Sequence, residues 1–292
     1  MGKEETGQGT PAASEKPMVS DGGFFHGFSE RQLERYSRHI ILSEVGGLGQ
    51  RRLLQSRVLI VGAGGLGSPC AYYLGAAGVG AIGIADADRV DLSNLQRQII
   101  HDSLSVGRPK VDSAAERLQR LNPDLRIEKH RQRITSENAL EIFKDYDVII
   151  DGTDNFPARY LLNDACVMLG KPLVYGSILR FEGQLTTIVP GAGPCYRCYF
   201  PEPPSPGSIP SCREAGVLGV LPGVIGTLQA TEAVKLILKI GELLTGRMMT
   251  YNALQMAFSS IEMDRQSDCP VCGEEPTITE LGDYQLFCGL EG

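Results

Sequence analysis

The chain has 292 residues, 42% of them hydrophobic, and a formal net charge of −7. That is enough for one large α/β domain or two small ones with a full core. The acidic balance, with no basic stripe, excludes nucleic acid as an expected partner and leaves a protein or a small molecule.

Residues 1–28 are rich in Gly, Ser, Pro and Glu and are expected to form a disordered tail. Met1 to Pro17 has no apolar core, so no secretory signal is expected and the chain reads as cytoplasmic. Met1-Gly2-Lys3-Glu4-Glu5-Thr6 fits the loose N-myristoylation pattern, but no basic cluster follows to complete an anchor. Ser29-Glu30-Arg31-Gln32 is a capping box that opens a helix carrying Leu33, Tyr36 and Ile40 on one side. A glycine break at Gly46-Gly47 precedes a short helix, Gln50 to Gln55. Val58 to Val61 is apolar and mostly β-branched, as a strand covered on both faces requires. It runs into Gly62-Ala63-Gly64-Gly65-Leu66-Gly67, the spacing G-x-G-x-x-G, and then a small-residue helix over Ser68 to Ala77. Glycines there let the backbone turn tightly and approach a phosphate, at which the helix would aim its first N–H groups.

Ala81 to Ala85 is the second strand and ends in Asp86-Ala87-Asp88. Helices are predicted over Lys110 to Leu121, stopped by Asn122-Pro123, and over Ser136 to Phe143 and Ala158 to Leu169. Strands are predicted over Arg126 to Arg131, Asp147 to Ile150 and Leu173 to Tyr175. This alternation implies a parallel sheet with helices on both faces. Gly183 to Val189, Arg247 to Tyr251 and Phe258 to Met263 then read as strands without that alternation, hence antiparallel additions at one edge. Pro201 to Pro210, with five prolines, reads as an exposed mobile loop. Gly219 to Ile240 reads as a long core helix, since its glycines, Pro222, Gln229, Glu232 and Lys235 do not suit a membrane span. The expected fold is α/β and Rossmann-like, one continuous domain over residues 29–292 with its C-terminal part stapled by zinc.

In open parallel sheets, ligands sit at the carboxyl ends of the strands. Asp86 lies about twenty residues beyond the glycines, where an acid binds ribose hydroxyls, a feature that fits NAD and ATP equally. Arg97 and Lys110 would offset the charge of a triphosphate, unless they are ordinary surface residues. A nicotinamide ring would need an apolar bed, which Ser93-Asn94-Leu95-Gln96-Arg97 does not offer. Asp151-Gly152-Thr153-Asp154-Asn155 ends a buried strand, and a carboxylate beside a triphosphate calls for Mg²⁺ between them. Asn155 alternatively caps the next helix. An oxidoreductase using NAD on the same loop, or a non-catalytic scaffold, are the rival readings.

Of eight cysteines, four form two C-x-x-C pairs, Cys195/Cys198 and Cys269/Cys272. Each pair is half of a tetrahedral Cys₄ site for structural Zn²⁺; redox pairs or unrelated buried cysteines are the alternatives. Cys212 follows the proline loop, and Arg213 beside it would favour the thiolate; the other reading is an inert thiol. Cys70 and Cys166 sit in apolar helical stretches and read as core.

Taken in order, Arg35-Tyr36-Ser37-Arg38, the glycine loop, Asp86-Ala87-Asp88, Ser93 to Arg97, Lys110, Asp151 to Asn155, the two C-x-x-C pairs and Ser211 to Gly219 resemble the MoeB/ThiF family. These are adenylating enzymes that activate ubiquitin-like and sulfur-carrier proteins, and the resemblance spans residues 30–275. It implies ATP·Mg²⁺ contacts at Gly62, Gly64, Gly65, Asp86, Ser93, Asn94, Leu95, Gln96, Arg97, Lys110, Asp154 and Asn155, with Asp154 coordinating the metal. It implies a homodimer in which Arg38 reaches the ATP of the opposite subunit. The carrier would be a β-grasp protein ending in Gly-Gly, serving molybdopterin synthase, tRNA thiolation or both. Cys212 matches a loop cysteine to which a covalent carrier link is attributed in eukaryotic members. Those members continue into a rhodanese domain. Asp283 to Gly289 resembles the lead-in to one, so sulfur is expected from a separate donor or from further chain.

Overall fold

A computed structural model describes residues 27–205, 208 and 212–288, without the side chains of Cys212, Arg213 and Phe287. The Gly2 pattern and nearly all of the expected tail lie outside the described residues. Helix α1 (Glu30–Ile40) begins as read: the Ser29 hydroxyl accepts the Gln32 N–H, and the Gln32 side chain accepts the Ser29 N–H. Helix α2 spans Gly46–Gln55, so the glycines continue the helix rather than break it. Gly46 still turns the chain, with a left-handed φ of +57° at the head of the helix, and further in a Cβ at Gly49 would lie 3.2 Å from Leu238.

The β-α alternation then follows the reading within a few residues. β1 (Arg57–Val61), α3 (Gly67–Ala77), β2 (Ala81–Ala85), α4 (Lys110–Leu121) and β3 (Arg126–His130) build one half of the sheet. After α5 (Ala139–Phe143) come β4 (Val148–Asp151), α6 (Phe156–Leu169) and β5 (Leu173–Leu179). β6 (Glu182–Ile188) returns through a two-residue hairpin, followed by α7 (Tyr196–Tyr199), α8 (Cys212–Ala215) and α9 (Leu221–Leu238). β7 (Arg247–Asn252), β8 (Ala257–Glu262) and α10 (Tyr284–Phe287) close the chain.

The eight strands run in the order β3-β2-β1-β4-β5-β6-β7-β8. The first five are parallel and the last three antiparallel, as read. Alternation along β1 sends Val58 and Ile60 into one core with Leu74, Leu118 and Ala233, and Leu59 and Val61 into the other with Phe143, Tyr160 and Leu162. Each of these side chains contributes about 1.5–3 kcal/mol by leaving water where it is as large as Val, Leu, Ile or Phe. Strand order reverses between β1 and β4, where Val61 pairs with Asp151. Two loops must therefore diverge at their carboxyl ends and leave a crevice. Among the described residues, no helix is long and apolar enough to cross a membrane.

Candidate active site

The crevice is a cavity of about 750 Å³ beneath the carboxyl ends of β1, β2 and β4. Gly62, Gly64, Gly65, Asp86, Arg97, Lys110, Asp154 and Asn155 all line it. The three glycines of the motif have different duties. Gly62 has φ +101°, and a Cβ there would meet the Gly152 carbonyl oxygen at 2.6 Å. A Cβ at Gly67 would sit 1.9 Å from the Gly62 carbonyl oxygen. These two let the loop fold onto itself and onto the end of β4. Gly64 meets nothing closer than Gln98 Nε2 at 3.6 Å, so the protein itself has room for a side chain there. Its bareness serves whatever enters the cavity. Gly67→Ala is accordingly expected to destabilise the chain by about 2 kcal/mol or more, read from urea denaturation. A Gly67→Ala protein with the parent midpoint would show that the loop relaxes freely.

Asp86 ties the loop to β2. Its Oδ2 accepts the Ala63 N–H at 2.9 Å and its Oδ1 accepts the Asp88 N–H at 2.8 Å. Lys110, the first residue of α4, is buried and donates from Nζ to Asp88 Oδ2 at 3.0 Å, with Asp86 Oδ2 3.9 Å away. The ammonium is thus held at the cavity wall by two carboxylates. Arg97 is half-buried, lies over the glycine loop and donates Nη1–H to the Ser93 carbonyl at 3.2 Å.

Ser93 and Asn94 form a 3-10 turn locked to Asp91, and neither they nor Leu95 and Gln96 line the cavity. Gln96 instead abuts Gly219, where a Cβ would meet its Oε1 at 2.5 Å. Of the two acids after β4, Asp151 is fully buried and gives Oδ1 to the Thr153 N–H and hydroxyl. Burial pushes its carboxyl up, and the Arg159 cation pulls it back in part. Asp154 is the exposed acid on the cavity wall. Asn155 caps α6, accepting the Ala158 N–H at 3.0 Å, and lines the cavity as well. Arg38 is exposed in the last turn of α1, away from this cavity. Cys212 heads the short helix α8, and its side chain lies outside the described residues.

A model of the ThiF family matches residues 36–271. The chain belongs to the ThiF family. It is 53% identical over 268 residues to the sulfur carrier protein adenylyltransferase of Thermus thermophilus, covering 90% of this chain and 99% of that one. It is 55% identical over 261 residues to the SAMP-activating enzyme E1 of Haloferax volcanii, covering 89% and 96%. Adenylyltransferase and sulfurtransferase MOCS3 of Anopheles gambiae is 51% identical over 260 residues, of which 89% of this chain covers 59% of that one. Among solved structures, Escherichia coli MccB with ATP superposes with a TM-score of 0.71 at 24% identity, covering 82% and 74%. That last likeness concerns the fold alone.

ThiF family membership leaves the second cluster to geometry. Cys195, Cys198, Cys269 and Cys272 bring their sulfurs within 4.8 Å of one another. Cys195 Sγ lies 3.6 Å from Cys269 Sγ, and Cys198 Sγ 3.5 Å from Cys272 Sγ. Four sulfurs each about 2.3 Å from one ion in a tetrahedron would stand about 3.8 Å apart, so the set fits Zn²⁺. The Gln266 N–H points at Cys198 Sγ from 3.5 Å, the kind of support a thiolate takes from backbone. Hydrogen bonds to the other sulfurs push the Cys195 thiol up and hold the Cys269 thiol down. Cys70 and Cys166 are fully buried, and burial pushes both thiols up, as core thiols should be.

Some cavity residues were not read from the sequence. The loop Gln132–Ser136 lines it because β3 pairs with β2 and ends beside Asp86. The strand itself was predicted, but its place beside β2, which brings its carboxyl end to the cavity, was not. Arg159, one turn into α6, lines the wall with its guanidinium 4.9 Å over the Phe156 ring. Asp283 to Gln285 reach the same wall from the far end of the chain.

Proposed function

We propose that the chain activates the C-terminal Gly-Gly carboxylate of a β-grasp sulfur carrier by adenylation with ATP. The observation that carries this reading is the meeting, in one cavity, of a glycine loop, two anchored cations and an exposed carboxylate. The full-length similarity to a protein named sulfur carrier protein adenylyltransferase supports it. A carrier carboxylate oxygen attacks the α-phosphorus, the bond to the β-phosphate oxygen breaks, and the electron pair leaves with pyrophosphate. The product is a carrier acyl-adenylate, ready to accept sulfur from a separate donor as a thiocarboxylate. The protein's work is to position and to neutralise, because the nucleophile arrives with the substrate. Gly64 and Gly65 would lie along the phosphates, and Asp86 beside the ribose. Arg97 and Lys110 would face the phosphate oxygens as charge shifts to pyrophosphate. Mg²⁺, held by Asp154, would supply the positive charge that lets this carboxylate sit beside a triphosphate.

Zn²⁺ on the four cysteines would be a closed site with no open position, and so a staple. A homodimer would bring Arg38 to the partner's cavity, and Cys212 would stand near the entering carrier. Activity in the cytoplasm and carriers of molybdopterin synthesis or tRNA thiolation complete the proposal. ATP–pyrophosphate exchange with a panel of Gly-Gly-ended carriers tests it. Exchange is expected only with a carrier present, and only with its Gly-Gly end intact. Absence of exchange with every carrier, or tight NADH binding with none of ATP, would overturn the reading.

A further inference from the structure

His101 is buried beneath the glycine loop and does not line the cavity. Its Nε2 lies 2.9 Å from the Ala63 carbonyl oxygen, and its Nδ1 lies 2.9 Å from Ser113 Oγ. A carbonyl oxygen has no proton to give, so Nε2 carries the hydrogen and donates it. Nδ1 is then bare and accepts the Ser113 hydroxyl. Burial pushes its pKa down, which favours the neutral ring. The bond to Ala63 and the charge of Asp86 oppose that shift, while Lys110 and Arg117 add to it.

The Ala63 residue is therefore gripped from both sides. Its N–H goes to Asp86 Oδ2 and its carbonyl to His101 Nε2, both at 2.9 Å. Gly62 before it is pinned by its N–H to the Ala85 carbonyl at 2.8 Å, Gly64 and Gly65 follow directly, and the Gly64 carbonyl accepts the Ser68 hydroxyl at 2.6 Å. Glycines have little stiffness of their own, so the shape of their backbone depends on how the preceding residue is held. Ser113 belongs to α4, the helix that starts with Lys110. One hydrogen-bonded chain thus links the helix bearing Lys110 to the loop that lines the phosphate end of the cavity. The ion pair of Lys110 with Asp88, and its approach to Asp86, close the chain into a ring.

We infer that His101 is a positioning residue, which holds the glycine loop in its nucleotide-binding shape by donating Nε2–H to the Ala63 carbonyl. The inference rests on the cavity being a nucleotide site. Glutamine can place an amide N–H near the position of Nε2. Asparagine is too short to reach Ala63, and phenylalanine fills the space without a donor. A packing role predicts that His101→Phe behaves like His101→Gln or better. A positioning role predicts the opposite order.

The test measures KM for ATP and KM for the carrier in pyrophosphate exchange, with ATP·Mg²⁺ affinity by calorimetric titration and the urea midpoint of each variant. His101→Asn and His101→Phe are expected to raise KM and Kd for ATP about tenfold or more, because a buried carbonyl loses its donor. His101→Gln is expected to stay within about threefold of the parent. KM for the carrier is expected not to move. Ser113→Ala, which frees the ring but keeps its donor, is expected to give a smaller rise. Should His101→Phe fail to fold, the comparison of His101→Asn with His101→Gln still decides. Equal impairment of Gln and Asn variants, or parent-like ATP affinity in all of them, would overturn the inference. If the parent binds ATP but turns over no carrier, the adenylation reading falls while the calorimetric order still reads His101. A parent that binds no ATP overturns both.

Discussion

Asp154→Ala is expected to cut carrier-dependent ATP–pyrophosphate exchange by at least about a hundredfold, with the urea midpoint unchanged. Asp154 is exposed at the cavity wall, so its removal strips no buried contact from the fold. On the adenylation reading its carboxylate would stand beside a triphosphate, an arrangement that repels unless a dication lies between. On that reading, the variant would lack the carboxylate that would hold Mg²⁺ and so the positive charge the ion would supply. Asp154→Asn keeps the shape and removes the charge, and is expected to lose nearly as much. Asp151 supplies the contrast. It is fully buried, accepts two hydrogen bonds from Thr153 and leaves Oδ2 without a partner among the described residues. Asp151→Asn is therefore expected to change stability first and activity only through it. Exchange within threefold of the parent in Asp154→Ala would remove the metal-holding role from this residue.

The contrast also marks what the sequence could say. β1 and the glycine loop were legible because a buried parallel strand and a tight turn each leave a local signature. α4 was legible to the residue, since Asn122-Pro123 cannot continue it. The antiparallel edge was legible because β5 and β6 have no room for a crossover between them. The cavity wall made by Gln132–Ser136 was not, because it depends on β3 pairing beside β2. Arg159 on α6 was not legible either, because what marks it is the Tyr175 ring of β5, 5.8 Å from its guanidinium. The start of α2 was read too late because Gly46 and Gly47 looked like a break of several residues, whereas the left-handed φ of +57° at Gly46 stands at the head of the helix and the chain is helical from there. His101 carried no motif at all; its partners are a backbone carbonyl and one helix serine.

Asp164 was equally silent, and its replacement by alanine is expected to cost about 3–5 kcal/mol of stability, read by urea denaturation of the metal-loaded protein. In the middle of α6, Asp164 has no exposed surface, and Arg197 beside it is 3% exposed. Arg197 donates Nε–H to Oδ1 at 2.9 Å and Nη2–H to Oδ2 at 2.8 Å, a two-pronged bond. The Tyr284 hydroxyl donates to Oδ2 at 2.9 Å and Asn163 Nδ2 to Oδ1 at 2.9 Å. Arg197 lies between Cys195 and Cys198, so this carboxylate anchors the cysteine knuckle to α6. Asn163 adds to the anchor by accepting the Tyr196 N–H at 2.8 Å. Asn155 beside Asp154 caps the same helix, so the cysteine cluster and the cavity share one rigid element. Alanine at 164 would leave a guanidinium buried without its anion, which is why the cost exceeds that of an exposed pair. A double variant, Asp164→Leu with Arg197→Met, removes both charges and is expected to recover much of the loss. Zinc bound per chain should follow the same order: near one in the parent, lower in Asp164→Ala and restored in the pair. A loss under 1 kcal/mol in the single variant would mean that water reaches Arg197 and that the knuckle is held by its cysteines alone.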